Sequence, residues 1–194
     1  MSSRFEIPSL MKTLHKLVQI FEKEKIDYML IGGLVLPAYG QIRTTQDIDV
    51  AIVIKDIKTL KRMFDELKNQ NFEIPSAPTL SAACIYLFDR ENVVDVEIWQ
   101  QPDGVTFDKQ LLQRRTRLAL AENLLAWAIG PEDFIVNKLA RKDRRVQDEA
   151  DVVSVLIRQK DTLDENYLVR RAKEFEVSGL LEAIKKKAQA TQEG

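Results

Sequence analysis

An α/β fold is predicted for this chain by three features. Short apolar runs read as strands and alternate with amphipathic stretches of helical period over the first two thirds of the sequence. Gly130-Pro131 then interrupts the pattern. Beyond it only helical periodicity remains, to about residue 187. The expectation is a small mixed β-sheet with helices behind it over residues 1–129, and a helical C-terminal bundle over residues 130–194 that packs on this core.

The elements follow in order. Ser9 suits the N-cap of a helix over about residues 9–25, whose apolar set is Leu10, Leu14, Leu17, Val18 and Phe21. Residues 28–31 form a short apolar strand closed by Gly32 and Gly33. "LVLPAYG" reads as a short helix kinked at Pro37 and stopped at Gly40, and "QIRTTQ" as a polar loop. "DIDVAIVI" is apolar throughout after Asp49, as a central strand covered on both faces should be. "DIKTLKRMFDELKNQ" places Leu60, Met63, Phe64 and Leu67 on one helical face. After a loop at "SAPTLSA", "CIYLFDREN" and "VVDVEIW" form two strands around a hairpin turn at residues 89–92. "TFDKQLLQRR" predicts a short helix, and "TRLALAENLLAW" predicts short strand pieces. Pro131 fits a first helical turn, with Glu132 and Asp133 at the positive end of its dipole. Four helices are expected from there, over about residues 131–142, 146–159, 164–175 and 178–190.

Composition narrows the function classes. Hydrophobic residues are 45% of the 194, enough for a sizeable core, and the formal net charge is -1. A nucleic-acid contact would therefore depend on local patches such as Lys109, Arg114, Arg115 and Arg117, not on overall attraction. One cysteine, Cys84, excludes an intramolecular disulfide. No stretch reads as a transmembrane helix, and the N-terminus lacks the apolar core of a signal peptide. A soluble cytoplasmic protein with no membrane partner is expected. His15 is the only histidine, which excludes zinc sites built on several histidines.

Two pairs of carboxylates carry the chemistry. Asp47 and Asp49 are two apart, so a strand directs both to one face. Adjacent carboxylates repel unless a cation lies between them, and magnesium prefers such oxygen ligands together with substrate phosphates. Asp95 and Glu97 offer a second pair on one face of another strand. Gly32-Gly33 lets backbone approach a ligand where a strand meets a helix, a suitable cradle for phosphate. Lys138, Arg141, Lys142 and Arg145 would form one basic stripe if the helix continued.

These residues resemble the DNA polymerase β-type nucleotidyltransferase superfamily, and more narrowly the AbiEii-type toxin nucleotidyltransferases. The match lies in Gly32-Gly33, Gly40, Arg43, Thr45 and Asp47-Ile48-Asp49, and downstream in Pro131-Glu132-Asp133, Lys138, Asp148 and Asp151. It spans roughly residues 10–160. The resemblance implies a metal-dependent transfer of NMP from an NTP to a hydroxyl of an RNA or protein acceptor. TRNA is one such acceptor, and the toxin of a toxin–antitoxin pair, with an antitoxin partner, is one such setting. It also implies two magnesium ions, or manganese, on Asp47, Asp49 and Asp95, with Glu97 in reserve as the third acid. Gly32, Gly33, Arg43, Thr45 and Lys138 would serve the substrate, and Asp148 and Asp151 would orient Lys138 or nearby arginines. Gly33 replaces the serine common in the superfamily, so backbone amides must take the place of its hydroxyl. Val35 stands where a small alanine is common. The alternative is a degenerate nucleotide-binding or partner-binding protein of the same fold.

Overall fold

The computed structural model describes residues 8–74, 79–102 and 106–193. The chain forms two compact units. The first is Met1–Gly32, Thr45–Gln100 and Arg117–Trp127; the second is Gly33–Thr44, Gln101–Thr116 and Ala128–Gly194. Residues 33–44 and 101–116 thus group with the C-terminal helices, across the boundary at 129 expected from the sequence.

The first unit is built on a mixed sheet. Its strands are β1 (Asp27–Leu30), β2 (Asp47–Val53), β3 (Phe72–Glu73), β4 (Cys84–Asp89), β5 (Val94–Trp99), β6 (Thr116–Ala121) and β7 (Leu124–Ala128). They lie in the order β3-β4-β5-β2-β1-β7-β6. β2 runs parallel to β5 and antiparallel to β1, and β4 is antiparallel to both β5 and β3. Helices α1 (Ser9–Lys23) and α3 (Ile57–Asn69) pack on one face of the sheet. Leu14, Leu17 and Phe21 of α1, and Leu60, Met63 and Leu67 of α3, are fully buried over Ile48, Val50, Val96 and Ile98. Asp56 caps α3, its carboxylate accepting the N–H groups of Lys58 and Thr59 at 2.9 Å. α1 starts differently from expectation. Pro8 occupies the cap position with no side-chain bond, and Ser9 is already helical.

The reversal between β4 and β5 also differs. β4 continues through Asp89, and the turn occupies residues 90–93. Asp89 is fully buried and holds the turn from inside. Its carboxylate accepts from Asn92 Nδ2 at 2.8 Å, Thr13 Oγ1 at 2.7 Å and Lys16 Nζ at 3.2 Å. Burial pulls the Asp89 pKa up, and these donors outweigh it to hold the carboxyl below its usual value. Val93 is left at φ 58°, a left-handed conformation costly for a β-branched residue. β3, two residues long, was not expected; it has no period to detect.

The second unit is helical. A 3₁₀ turn (Gly33–Val35) leads into α2 (Leu36–Tyr39); α4 (Lys109–Arg114), α5 (Pro131–Ala140), α6 (Val146–Arg158), α7 (Glu165–Glu174) and α8 (Ser178–Glu193) follow. Gly40 is dictated by packing, since a Cβ there would meet Ser154 Oγ at 2.5 Å and Val155 Cγ2 at 3.0 Å. α5 is buried along Glu132–Leu139, polar residues included. Asp133, 2% exposed, accepts from Tyr167 Oη at 2.8 Å and Arg171 Nε at 3.1 Å. This pairing satisfies an otherwise prohibitive buried charge. α5 ends at Ala140, two residues before expectation, and Arg141 turns to ψ 132°. Arg145 caps α6. Lys138, Arg141, Lys142 and Arg145 therefore do not form a helical stripe. No helix of the described residues is long and apolar enough to cross a membrane. The expected loop at 76–82 falls partly on residues 75–78, outside those described.

Val93 is 74% exposed, so its replacement sacrifices little packing. Val93→Gly is expected to stabilise the protein by about 1 kcal/mol, by relieving the left-handed strain. Urea unfolding checks this; a lower midpoint would show that the valine side chain supports the turn.

Candidate active site

The parallel pairing of β2 with β5 sets Asp47 level with Asp95, and Asp49 level with Glu97. The antiparallel pairing of β5 with β4 extends these rows outward, to Phe88 beside Asp95 and Tyr86 beside Glu97. A third row contains Ala51, Trp99 and Cys84. Strand alternation directs all of these side chains to the sheet face opposite α1 and α3. Asp47 and Asp95 are exposed; Asp49 and Glu97 are half-buried. The acidic residues proposed from the sequence thus share one patch, and both candidates for the third acid are in it.

Local contacts fix three of the four acids. Thr45 Oγ1 donates to Asp47 Oδ1 at 2.6 Å, so Thr45 orients a carboxylate in this structure. Trp99 Nε1 donates to Glu97 Oε2 at 3.2 Å. Asp49 lies against Gly32, where a Cβ would come within 2.6 Å of both Asp49 Cβ and Cγ. The first glycine therefore makes room for a carboxylate, a role that the sequence reading assigned to phosphate approach. Gly33 opens the 3₁₀ turn and is buried. Burial, then the charges of Glu97 and Asp49, push the Cys84 thiol up to about 12. Burial thus disfavours the Cys84 thiolate.

The second unit carries the other residues singled out. Lys138 is 5% exposed, and its ammonium reaches Asp148 Oδ1 at 2.7 Å and Asp151 Oδ2 at 3.4 Å. Asp151 is also gripped by the Arg43 fork, at 3.1 Å from Nε and 3.2 Å from Nη2, and by Gln147 Nε2 at 2.9 Å. Asp148 accepts the Arg145 N–H at 2.9 Å. Burial raises the Asp148 pKa, but the bonds from Lys138 and Arg145 outweigh it and hold the carboxyl low. Lys138, Asp148, Asp151 and Arg43 are therefore one ion network. Arg43 is its partly exposed end, with the side chain 30% accessible. The sequence reading linked Lys138 to the two aspartates; the fork from Arg43 comes from 108 residues away and could not be read there, whereas Gln147 and Asp151 are an i, i+4 pair on α6 that was missed.

The donor set suits a hard divalent cation, since every candidate ligand is a carboxylate oxygen. Among the described residues no three His, Cys, Asp or Glu side chains converge closely enough to enclose a metal ion unaided. This is compatible with magnesium, which keeps waters and draws on substrate phosphates instead of a full protein cage.

No curated protein matches this chain. Several solved structures do. One is an antigenic nucleotidyltransferase-like protein from Paracoccidioides brasiliensis, with 20% identity, TM-score 0.58, and coverage of 94% of this chain and 90% of that one. Another is the antibiotic-resistance factor ANT(2'')-Ia, with 10% identity, TM-score 0.55, and coverage of 90% and 96%. A third is the lincomycin-bound lincosamide antibiotic adenylyltransferase LnuA, with 16% identity, TM-score 0.53, and coverage of 74% and 94%. At these identities the likeness is one of fold, a polymerase β-like nucleotidyltransferase α/β core. A family described as nucleotidyltransferase of unknown function (DUF6036) matches residues 8–190, nearly the whole sequence, and to that family of nucleotidyltransferases the chain belongs.

Proposed function

We propose that this protein transfers an NMP from a nucleoside triphosphate to a hydroxyl of its acceptor, in a reaction that needs magnesium or manganese. The observation that carries the reading is the parallel register of Asp47 with Asp95 and Asp49 with Glu97. Asp47 and Asp49 would hold the nucleotide-associated cation, and Asp95 would serve as third ligand and draw the proton from the attacking hydroxyl. Asp95 is favoured over Glu97 because Glu97 is already engaged by Trp99 Nε1. Bound divalent ions would supply Lewis-acid activation and neutralise charge on the leaving oxygens. Thr45 would keep the Asp47 carboxylate turned toward its ligand, as outer-shell partners do. Lys138 is 5% exposed and committed to Asp148 and Asp151, which leaves Arg43, the partly exposed end of that network, as the proposed triphosphate contact. The solved structure of the lincosamide antibiotic adenylyltransferase LnuA is bound to lincomycin, a small molecule, and a small-molecule acceptor is one candidate for this chain. An RNA or protein acceptor, as the motif resemblance implies, is tested in the same assay: label transfer from each α-labelled NTP, with magnesium, to cellular RNA, protein and small-molecule fractions.

The roles of the two strand-β5 acids separate by mutation. Asp95→Ala is expected to lower transfer at least a hundredfold and Glu97→Ala about tenfold or less, the scale of losing a metal ligand against losing a neighbour of one. The reverse order in single-turnover rates would move the third-ligand role to Glu97.

Lys138 and Arg43 make a second test. Lys138→Ala leaves Asp148 buried without its closest cation and Asp151 reliant on Arg43, and is expected to cost about 3 kcal/mol of stability. Arg43→Ala leaves Lys138 in place and is expected to weaken affinity for a non-hydrolysable NTP about tenfold, or about 1.4 kcal/mol. Calorimetry at fixed salt and a melting curve distinguish the two. Unchanged nucleotide affinity in Arg43→Ala would remove the network from substrate binding.

A further inference from the structure

The acidic face has a second feature that nucleotidyl transfer as such does not require. Along β4, the strand on the far side of β5 from β2, the positions sharing this face are Cys84, Tyr86 and Phe88. Tyr86 is 58% exposed, although it lies on a sheet face and is large and mostly apolar. Phe88 is half-buried beside Asp95, and Trp99 is half-buried with its indole N–H turned to Glu97. An aromatic column therefore flanks the carboxylates about 5 Å away, one strand spacing. None of the positions in these rows, Asp47, Asp49, Ala51, Asp95, Glu97, Trp99, Cys84, Tyr86 and Phe88, is basic.

This combination selects an occupant. If Asp47, Asp49 and Asp95 serve the metals, Glu97 remains as a fourth carboxylate between Asp49 and Tyr86. A polyanion lying across β4 would meet Glu97 with no base in these rows to offset it. An organic cation would gain from both components, ion pairing with Glu97 and cation–π contact with the Tyr86 ring. The aromatic and carboxylate lining is continuous with Asp95, the residue proposed to take the proton from the attacking hydroxyl.

Resting on that reading of the site, we infer that the acceptor is a small hydroxylated organic cation, whose ammonium sits between Tyr86 and Glu97 and whose hydroxyl reaches Asp95. In the transfer step the acceptor oxygen forms a bond to the α-phosphorus, the bond from that phosphorus to the bridging oxygen breaks, pyrophosphate leaves, and the hydroxyl proton passes to Asp95.

The test compares two probes with the same ring but different charge, glucosamine and N-acetylglucosamine. The full-length protein is saturated with magnesium and a non-hydrolysable NTP, and binding is followed by ligand-observed NMR. Glucosamine is expected to bind at least about tenfold more tightly. Tyr86→Phe should keep that preference, and Tyr86→Lys should abolish it. Tyr86 is exposed enough for either replacement to fold, which a melting curve verifies. Equal affinity for the two probes, binding of neither, a preference that survives Tyr86→Lys, or tighter binding of a single-stranded RNA with a free 3′-hydroxyl would each overturn the inference. Calorimetry of nucleotide with magnesium is run separately. Failure there would overturn the proposed nucleotidyl transfer itself, whereas normal nucleotide binding without the charge preference would overturn only the acceptor assignment.

Discussion

Like charges side by side on neighbouring strands are unfavourable, and the pairing of β2 with β5 imposes that juxtaposition twice, at Asp47 with Asp95 and at Asp49 with Glu97. The opposite face of the same strands explains how it is tolerated. Ile48, Val50, Val96 and Ile98 are at most 1% exposed beneath α1 and α3. A one-residue slip would exchange the faces, burying carboxylates and exposing the core, so the apolar packing fixes the acidic register. The site is therefore a consequence of the core. Thr45, Trp99 and the missing side chain of Gly32 then set how individual carboxylates stand.

The second unit handles charge in the opposite way. Lys138 and Asp133 are both within α5 and both nearly inaccessible, and each is paired by partners from other helices: Asp148 and Asp151 on α6 for Lys138, and on α7 the Arg171 cation with the Tyr167 hydroxyl for Asp133. Breaking such pairs is far more costly than forming them is beneficial. These interactions thus fix which helix lies beside which more than they add net stability. Arg43 joins one of these networks through Asp151 from a loop between α2 and β2, more than a hundred residues away.

Periodicity was legible where burial is one-sided. β2, α1, α3 and the four C-terminal helices follow from apolar spacing within one or two residues at most ends. The acid pairs were legible because a period of two is unambiguous on a strand. Other features depend on tertiary context. Lys138 carries no local sign of burial, and reading it with Arg141, Lys142 and Arg145 as a stripe assumed a helix that ends at Ala140. That end is fixed by the extended turn of Arg141 and by the network around Asp148, neither visible in composition. Gly32 was legible as a position needing no side chain, but the close neighbour proved to be the Asp49 carboxylate. β3 is too short for any pattern, and the left-handed Val93 runs against residue preference. The aromatic column on β4 was overlooked because Tyr86 and Phe88 gain meaning only from their rows beside Glu97 and Asp95.

The path of the backbone between the units has a consequence for synthesis. All segments of the first unit lie before residue 128, so this unit is complete in sequence before the last four helices exist. Residues 33–44 and 101–116 have by then emerged, carrying Leu34, Val35, Leu36 and Leu111, all buried in the complete chain and grouped with helices not yet made. At ordinary elongation rates the remaining residues need roughly 3–13 s. Throughout that interval these apolar residues lack the helices with which they group. Apolar residues left in that condition invite aggregation and chaperone capture, and a chain cut near residue 129 would lack those partner helices permanently.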